Sequence, residues 1–166
     1  DTLVDTPDCQ LLSPRIMALR PALERLVALG GSRKAELSVT VTETETGADV
    51  RVSGGKPADA ALRADLAAIG ADAGLARLTW EDEQIAAYVP PAVRFDGIAV
   101  VPPPGAFLQA TAEGEAALRR SVAEGVGDAA RVVDLFAGCG TFTLPLARGA
   151  EVLAVEAEDA MLHALD

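Results

Sequence analysis

Apolar residues recur at helical spacing in two parts of the first half of the chain. Positions three or four residues apart are apolar over 13–30 and again over 58–73, which predicts two amphipathic helices. The first helix begins at Ser13 and Pro14, a pair typical of a helix start because serine caps the first turn and proline fits it. Pro21 lies inside this helix and predicts a kink or a new turn there.

Between these helices the spacing changes to that of strands. Apolar and polar residues alternate over 36–46, and Gly47 turns the chain back into a second alternating segment over 48–53, so we expect a β-hairpin. Further along, short apolar runs predict three more strands, at 75–80, 85–89 and 93–101. Residues 1–101 are therefore expected to form an α+β domain with a mostly antiparallel sheet, opening with a strand end over 1–5 and a turn at 6–9.

Three consecutive prolines and a glycine at 102–105 form the clearest boundary in the sequence. Such a segment favours a stiff, extended connector. A helix is predicted over 111–126, and residues 102–166 are expected to form the second domain.

The stretch 131–156 has a different organisation. A buried apolar run at 132–135 is followed by a glycine-containing turn at 136–140, an apolar helix at 141–147 and a second apolar run that ends at Glu156. This order predicts a β-turn-α-β unit with a carboxylate at the end of its second strand. Small residues let the turn approach a ligand, and the acid can accept hydrogen bonds from ribose hydroxyls, so the unit is typical of a nucleoside-binding site.

Two cofactors are candidates for the ligand of this unit, a dinucleotide such as NAD and S-adenosylmethionine. A dinucleotide site requires the spacing G-x-G-x-x-G, in which the third glycine allows close packing of helix and strand. Gly138 and Gly140 fit that pattern, but Thr143 stands at the third position and Phe136 holds the place of an earlier small residue. A bulky residue there hinders the backbone approach that phosphates need, so S-adenosylmethionine is favoured over NAD. A glycine turn that binds no ligand is the remaining alternative.

Composition limits the function further. Of the 166 residues 50% are hydrophobic but only 4% aromatic, so the core must consist mainly of Ala, Leu and Val. The net charge of −11 does not point to nucleic acid, whose binding proteins usually have a basic surface. The sequence shows no signal peptide and no apolar run of membrane-spanning length, so no membrane association is expected. The two cysteines are far apart and do not suggest a disulfide framework, which favours the reducing cytoplasm as the location.

Two strands of a doubly wound sheet cannot cover their own faces. Either the strands near the C-terminus join a sheet from the first half, or the chain is a fragment, and the fragment is favoured because the sequence opens at Asp1 without methionine.

The segments PPPGAFLQATAEGEAAL (102–118) and DLFAGCGTFTLPLA (134–147) resemble the RNA uracil-5-methyltransferase family. Its members use S-adenosylmethionine to convert uridine to 5-methyluridine in 23S ribosomal RNA or transfer RNA. The match is close over 102–156 and looser over 5–14. The resemblance implies an α/β fold in which an α+β central domain is followed by the first part of a Rossmann-like class I methyltransferase domain, here truncated.

The resemblance also assigns roles to individual residues. Gln109 would approach the methionine end of the cofactor, Phe136 and Thr141 would line the turn beneath it, and Asp134 would hold the turn through backbone amides. Relatives often have Asn where Thr141 stands, so this position departs from the family pattern. Together with the two glycines of the turn, the predicted cofactor-binding residues are Gln109, Phe136, Gly138, Gly140, Thr141 and Glu156.

The two cysteines and the single histidine have different expected roles. Cys9 resembles the fourth ligand of the [4Fe–4S] cluster of some family members, whose other three cysteines would lie upstream of Asp1. Cys139 lies inside the cofactor turn and is not the expected nucleophile. The thiolate that attacks uracil C6 in this family would lie beyond Asp166, so this chain alone should be inactive. His163 is expected to be on the surface or to pack.

The resemblance thus implies part of an enzyme that methylates C5 of a uridine. The cysteine at position 9 favours ribosomal RNA over transfer RNA. Two alternatives stay open: a non-catalytic nucleoside-binding or interaction module, and a methyltransferase for a small molecule or protein, which the acidic charge would suit better.

Overall fold

The computed structural model describes residues 4–7, 9–32 and 35–165. Predictions made for residues 1–3, 8 and 166 lie outside the described residues. The chain divides into two compact units, Asp1–Pro91 and Ala92–Asp166.

The first unit is an α+β structure around a four-stranded sheet. The strand order is β1-β2-β3-β4; β2 and β3 are parallel and the other two pairs antiparallel, so the expected mostly antiparallel sheet is present. The elements are α1 (Pro14–Ala18), α2 (Arg20–Gly30), β1 (Ser38–Thr44), β2 (Gly47–Ser53), α3 (Ala60–Asp72), β3 (Arg77–Trp80) and β4 (Glu83–Ala87).

The predicted first helix is two helices that break at Leu19. Ser13 caps α1 by accepting a hydrogen bond from the amide of Ile16 at 3.2 Å, as expected. Pro21 lies in the first turn of α2, where a residue without an amide hydrogen leaves no helical carbonyl unpaired. The proline therefore starts a new helix instead of kinking a continuous one.

Trp80 is the largest side chain of the first unit's core and is only 1% exposed. Its indole Nε1 donates to the carbonyl of Lys56 at 2.8 Å. Two glycines lie against the ring: a Cβ on Gly30 or on Gly55 would stand 2.3 or 2.1 Å from it. Both positions therefore require glycine for the tryptophan to pack.

The second unit holds the β-turn-α-β segment. Strands β7 and β8 form a parallel pair with Arg131 opposite Glu151 and Leu135 opposite Val155. The elements of this unit are β5 (Val93–Phe95), β6 (Ile98–Val100), α4 (Ala112–Val126), β7 (Arg131–Leu135), α5 (Thr143–Leu146), β8 (Glu151–Val155) and α6 (Asp159–Leu162). The predicted helix over 111–126 and the predicted β-turn-α-β unit are present, although α5 is shorter than the helix expected over 141–147.

The single strand expected over 93–101 is wrong: the segment is a hairpin of β5 and β6. Asp96 and Gly97 occupy its turn with φ of 52° and 84°, the left-handed conformation that two-residue hairpin turns favour. Phe95 and Val100 are buried with Cys139 in the core of the second unit. The compact unit consequently begins at Ala92, before the proline segment at which the domain boundary was expected.

One face of the β7–β8 pair is uncovered. Within the described residues this sheet contains only these two strands, so the alternative that they extend the first sheet is wrong. Side chains alternate between the faces along each strand, and the apolar residues of one face are 44–62% exposed: Val133, Leu135, Leu153 and Val155. No helix in the described part of the chain is long and apolar enough to cross a membrane.

Candidate cofactor-binding site

The turn between β7 and α5 has an unusual backbone. Phe136, Gly138 and Gly140 all have left-handed φ values, of 60°, 56° and 94°. The amide of Ala137 donates to the carbonyl of Val155 at 3.1 Å, which fastens the turn to the end of β8. The turn is thus tightly wound and held against the neighbouring strand.

The Glu156 carboxylate accepts hydrogen bonds from backbone amides of the turn and of the segment after β8. Its Oε2 accepts from the amide of Gly138 at 2.8 Å, and its Oε1 accepts from Ala157 at 2.7 Å and Glu158 at 3.1 Å. These donors, first that of Gly138, lower the pKa of the Glu156 carboxyl below its ordinary value. The structure therefore brings together Gly138 and Glu156, which are far apart in sequence, through the ionised carboxylate.

Phe136 is both strained and exposed. A non-glycine residue in the left-handed region costs about 1–2 kcal/mol relative to the ordinary conformation. The side chain is 88% exposed, so burial in this chain does not repay that cost. An aromatic ring held open beside the turn offers an apolar surface to a ligand.

The two glycines of the turn have different surroundings. A Cβ on Gly140 would lie 2.2 Å from Leu165 Cδ2 and 2.9 Å from Leu144 Cγ, so this glycine is needed for internal packing. A Cβ on Gly138 would meet no atom within 4 Å. The backbone at Gly138 therefore has open space in front of it, where a ligand can approach.

We expect Gly140→Ala to lower the free energy of unfolding of the second unit by about 2 kcal/mol, because it adds a steric clash to the left-handed strain. Gly138→Ala, the matched control, introduces the strain alone and should cost about 1 kcal/mol. Urea unfolding followed by circular dichroism measures both, with Trp80 fluorescence reporting the first unit separately. Equal losses in the two variants would contradict the packing role of Gly140.

Asp134 holds the turn differently from the expectation. Its Oδ2 accepts a hydrogen bond from Thr143 Oγ1 at 2.5 Å, so it binds a side chain at the start of α5 and not backbone amides. Thr143 is 7% exposed. Sequence reasoning considered Thr143 only as a missing third glycine. The sequence feature that could have indicated this bond is a threonine at the start of the helix, preceded by an aspartate near the end of the strand before the turn.

For Gln109 and Thr141 the structure gives the position but, within the described part of the chain, no contact that would define a role in the site. Thr141 is half-buried within the turn, and Gln109 is half-buried in the irregular segment before α4. No hydrogen bond among the described residues joins Gln109 to the turn. Its neighbour Leu108 packs on the core cluster that contains Cys139, which is a residue of the turn. The cofactor contacts of both residues stay predictions.

Cys139 is a core residue. It is 2% exposed, and burial raises the pKa of its thiol, so the thiolate that nucleophilic attack requires is disfavoured. This agrees with the expectation that it is not the nucleophile. His163 is exposed at the end of α6, as the surface alternative predicted.

Cys9 is a free, half-buried cysteine. A [4Fe–4S] cluster needs four ligands, usually thiolates, and the chain has only two cysteines, of which Cys139 lies in the core of the second unit. Among the described residues, no group of three or more His, Cys, Asp or Glu side chains could hold a metal ion. The residues present thus do not fit a complete cluster, and a ligand role for Cys9 stays a prediction.

Comparison with known proteins gives a consistent set of relatives. The chain is 40% identical over 164 residues to an uncharacterized RNA methyltransferase from Rhizobium meliloti, a match that covers 99% of this chain and 40% of that protein. It is 41% identical over 171 residues to one from Caulobacter vibrioides, covering 98% and 40%. It is 32% identical over 167 residues to the 23S rRNA (uracil(1939)-C(5))-methyltransferase RlmD of Tolumonas auensis, covering 97% and 38%.

A solved structure shares the fold. The tRNA (uracil-54, C5)-methyltransferase of Pyrococcus abyssi, crystallised with S-adenosyl-L-homocysteine, matches 99% of this chain and 45% of its own length with a TM-score of 0.73 at 17% identity. No family model matches the chain. The predicted resemblance to RNA uracil-5-methyltransferases and the predicted fold class are confirmed. The chain spans about two fifths of the length of its curated relatives.

Proposed function

We propose that this chain is a segment of a longer RNA methyltransferase and supplies the turn that binds S-adenosylmethionine. The observation that carries the proposal is the Glu156 carboxylate, which draws the amide of Gly138 towards the end of β8 while Phe136 stays exposed beside it. An ionised acid at this place is what ribose hydroxyls require. The relatives with RNA methyltransferase names support the same assignment.

The residues of the site suit the parts of this cofactor. Each oxygen of the Glu156 carboxylate can accept more than one hydrogen bond, so ribose hydroxyls can bind beside the backbone amides. Phe136 offers an apolar surface for the uncharged parts of the ligand, and Gly138 leaves the backbone accessible. Gln109 and Thr141 complete the proposed set. The bound cofactor supplies a methyl group activated by its sulfonium.

The proposed reaction transfers that methyl group to C5 of a uridine after a cysteine thiolate adds to C6, and a base then removes the C5 proton as the thiolate leaves. Burial of Cys139 excludes it from this role. We therefore assign the nucleophile and the base to parts of the longer protein outside this chain, and we expect no methyl transfer by the chain alone. A cytoplasmic location and ribosomal RNA as substrate, with transfer RNA second, belong to the same proposal.

RNA binding by this chain alone is expected to be weak. The net charge is −11, and many of the described arginines already pair with a carboxylate. These pairs are Arg15–Glu43, Arg20–Asp5, Arg25–Asp72, Arg51–Asp82, Arg63–Glu83, Arg77–Asp49 and Arg148–Asp96. Phosphate binding depends on accessible basic side chains, so the longer protein must supply the RNA-binding surface.

In a gel-shift assay at 150 mM salt, we expect no complex between the purified chain and a ribosomal RNA fragment at protein concentrations up to about 100 μM. This concentration corresponds to the weakest dissociation constants that are typical of non-specific binding. A complex of micromolar affinity that weakens with added salt would show that the chain itself contributes RNA contacts.

Calorimetric titration of the purified chain tests the proposed function. S-adenosylmethionine and S-adenosylhomocysteine should bind, while NAD should not. Binding of NAD alone would overturn the cofactor assignment, and binding of none of the three would favour the alternative of a non-catalytic interaction module. For the longer protein, transfer of labelled methyl groups to total RNA, and not to an RNA-free extract, separates an RNA methyltransferase from one that acts on small molecules or proteins.

A further inference from the structure

We propose that the side chains of Asp134 and Thr143 form a positioning pair that sets the shape of the cofactor turn, an inference that rests on the proposed function. The Thr143 hydroxyl donates to Asp134 Oδ2 at 2.5 Å. Asp134 is the last residue but one of β7, and Thr143 is the first residue of α5. Their hydrogen bond therefore spans the whole turn and joins its two ends.

The surroundings make this bond important for the turn. Helix α5 has no side-chain cap, since Phe142 at its N-cap position accepts no amide hydrogen through its side chain. Thr143 is buried, so its hydroxyl would lose hydrogen bonding if Asp134 did not accept it. Among the hydrogen bonds of the described residues, this side-chain contact is the one that joins the start of the short helix to β7.

Two side-chain contacts hold the turn, in addition to the backbone hydrogen bond from Ala137 to Val155. The Glu156 carboxylate binds the Gly138 amide from the end of β8, and the Asp134–Thr143 pair joins β7 to α5. With both in place, the left-handed conformation of Phe136 is fixed although its side chain is exposed. Strained residues of this kind persist only where the surrounding structure determines them.

The pair also explains how the turn closes without a third glycine. In dinucleotide-binding turns, glycine at the position of Thr143 allows helix and strand to approach. Here a hydroxyl and a carboxylate link helix to strand directly. The pair acts through the turn and does not need to contact the ligand, so its loss should change affinity by displacing Gly138 and Phe136.

Thr143→Val and Thr143→Ser test the proposal in the full chain. Valine keeps the branched shape and removes the hydroxyl, whereas serine keeps the hydroxyl. We expect Thr143→Val to weaken S-adenosylmethionine binding about tenfold, the effect of one lost hydrogen bond, and Thr143→Ser to bind within about twofold of the original chain. In NMR spectra, the Gly138 amide should shift and lose protection from exchange in Thr143→Val only.

Asp134→Ala, which removes the acceptor oxygen that asparagine would keep, completes a double-mutant cycle. If the two residues act as a pair, Asp134→Ala combined with Thr143→Val should weaken binding no more than the stronger single change. Unchanged binding and an unchanged Gly138 amide in Thr143→Val, or a serine variant as weak as the valine variant, would overturn the proposal. If the original chain binds no S-adenosylmethionine, the proposed function fails, and the Gly138 amide still decides whether the pair shapes the turn.

Discussion

Asp49→Ala is expected to lower the free energy of unfolding of the first unit by about 3–5 kcal/mol, because it removes the carboxylate partner of a buried guanidinium. The side chains of Arg77 and Asp49 are only 8% and 6% exposed. Arg77 Nε lies 2.9 Å from Oδ1 and Nη2 lies 2.6 Å from Oδ2, a two-point pairing between adjacent positions of the parallel strands β2 and β3. A charge that stays buried after its partner is removed is strongly destabilising.

An ion pair on the same sheet provides the matched control. Arg51 and Asp82 are 3.2 Å apart, but Asp82 is 96% exposed, so Asp82→Ala should change the free energy of unfolding by less than about 1 kcal/mol. Urea unfolding followed by the fluorescence of Trp80, the single tryptophan, reports the first unit for both variants. Similar losses in the two would show that burial does not determine the cost.

A double variant separates the charge from the packing. Asp49→Leu with Arg77→Met removes both charges and keeps apolar bulk, so it should be less destabilising than Asp49→Ala alone. If the double variant has a free energy of unfolding no higher than that of Asp49→Ala, the ion pair stabilises the fold by more than the two charges compensating each other.

The sequence pattern was informative where local signals and the fold agree. The apolar runs around the glycine turn predicted β7 and β8, and they predicted an acid at the end of β8, where Glu156 lies and accepts from the amide of Gly138. These features depend on short stretches whose geometry hardly varies among β-turn-α-β units.

Features that depend on pairing between distant segments were missed. Asp49 and Arg77 become neighbours only through the register of β2 and β3, which periodicity does not determine. Thr143 appeared as a departure from a glycine motif, and its bond to Asp134 emerges only when the turn closes. The hairpin at Asp96 and Gly97 was different, because Asp-Gly is a strong local turn signal that the apolar run obscured.

Glu156→Gln is expected to weaken S-adenosylmethionine binding about 100-fold, within the range for lost hydrogen bonds to a charged group. An amide has one acceptor oxygen, so it cannot serve Gly138 on one side and Ala157 with Glu158 on the other. Its NH₂ group would also face a backbone N–H. The variant should therefore both lose affinity for ribose hydroxyls and release the Gly138 amide from its present position.

The pH dependence follows from the direction of the pKa change. The pKa of Glu156 is lower in the folded chain than the ordinary 4.5, because backbone amides, first that of Gly138, bind the ionised form. Its contribution to stability is thus present above 4.5 and is lost as the pH falls through the lowered folded value. The Gly138 amide signal should change in that acidic range in the original chain, and should show no such titration in Glu156→Gln.

Glu158→Gln is the matched control for this prediction. Glu158 lies two residues further along, is exposed, and makes no side-chain hydrogen bond to the amides at the start of α6. The substitution Glu158→Gln removes the same charge as Glu156→Gln, so a change in affinity caused by net charge alone would appear in both variants. Calorimetric titration at pH 7 should find cofactor affinity nearly unchanged in Glu158→Gln and much reduced in Glu156→Gln. Equal affinities in the two variants would show that Glu156 contributes to binding no more than its charge does, and the ribose-binding role would then have to be assigned to another residue.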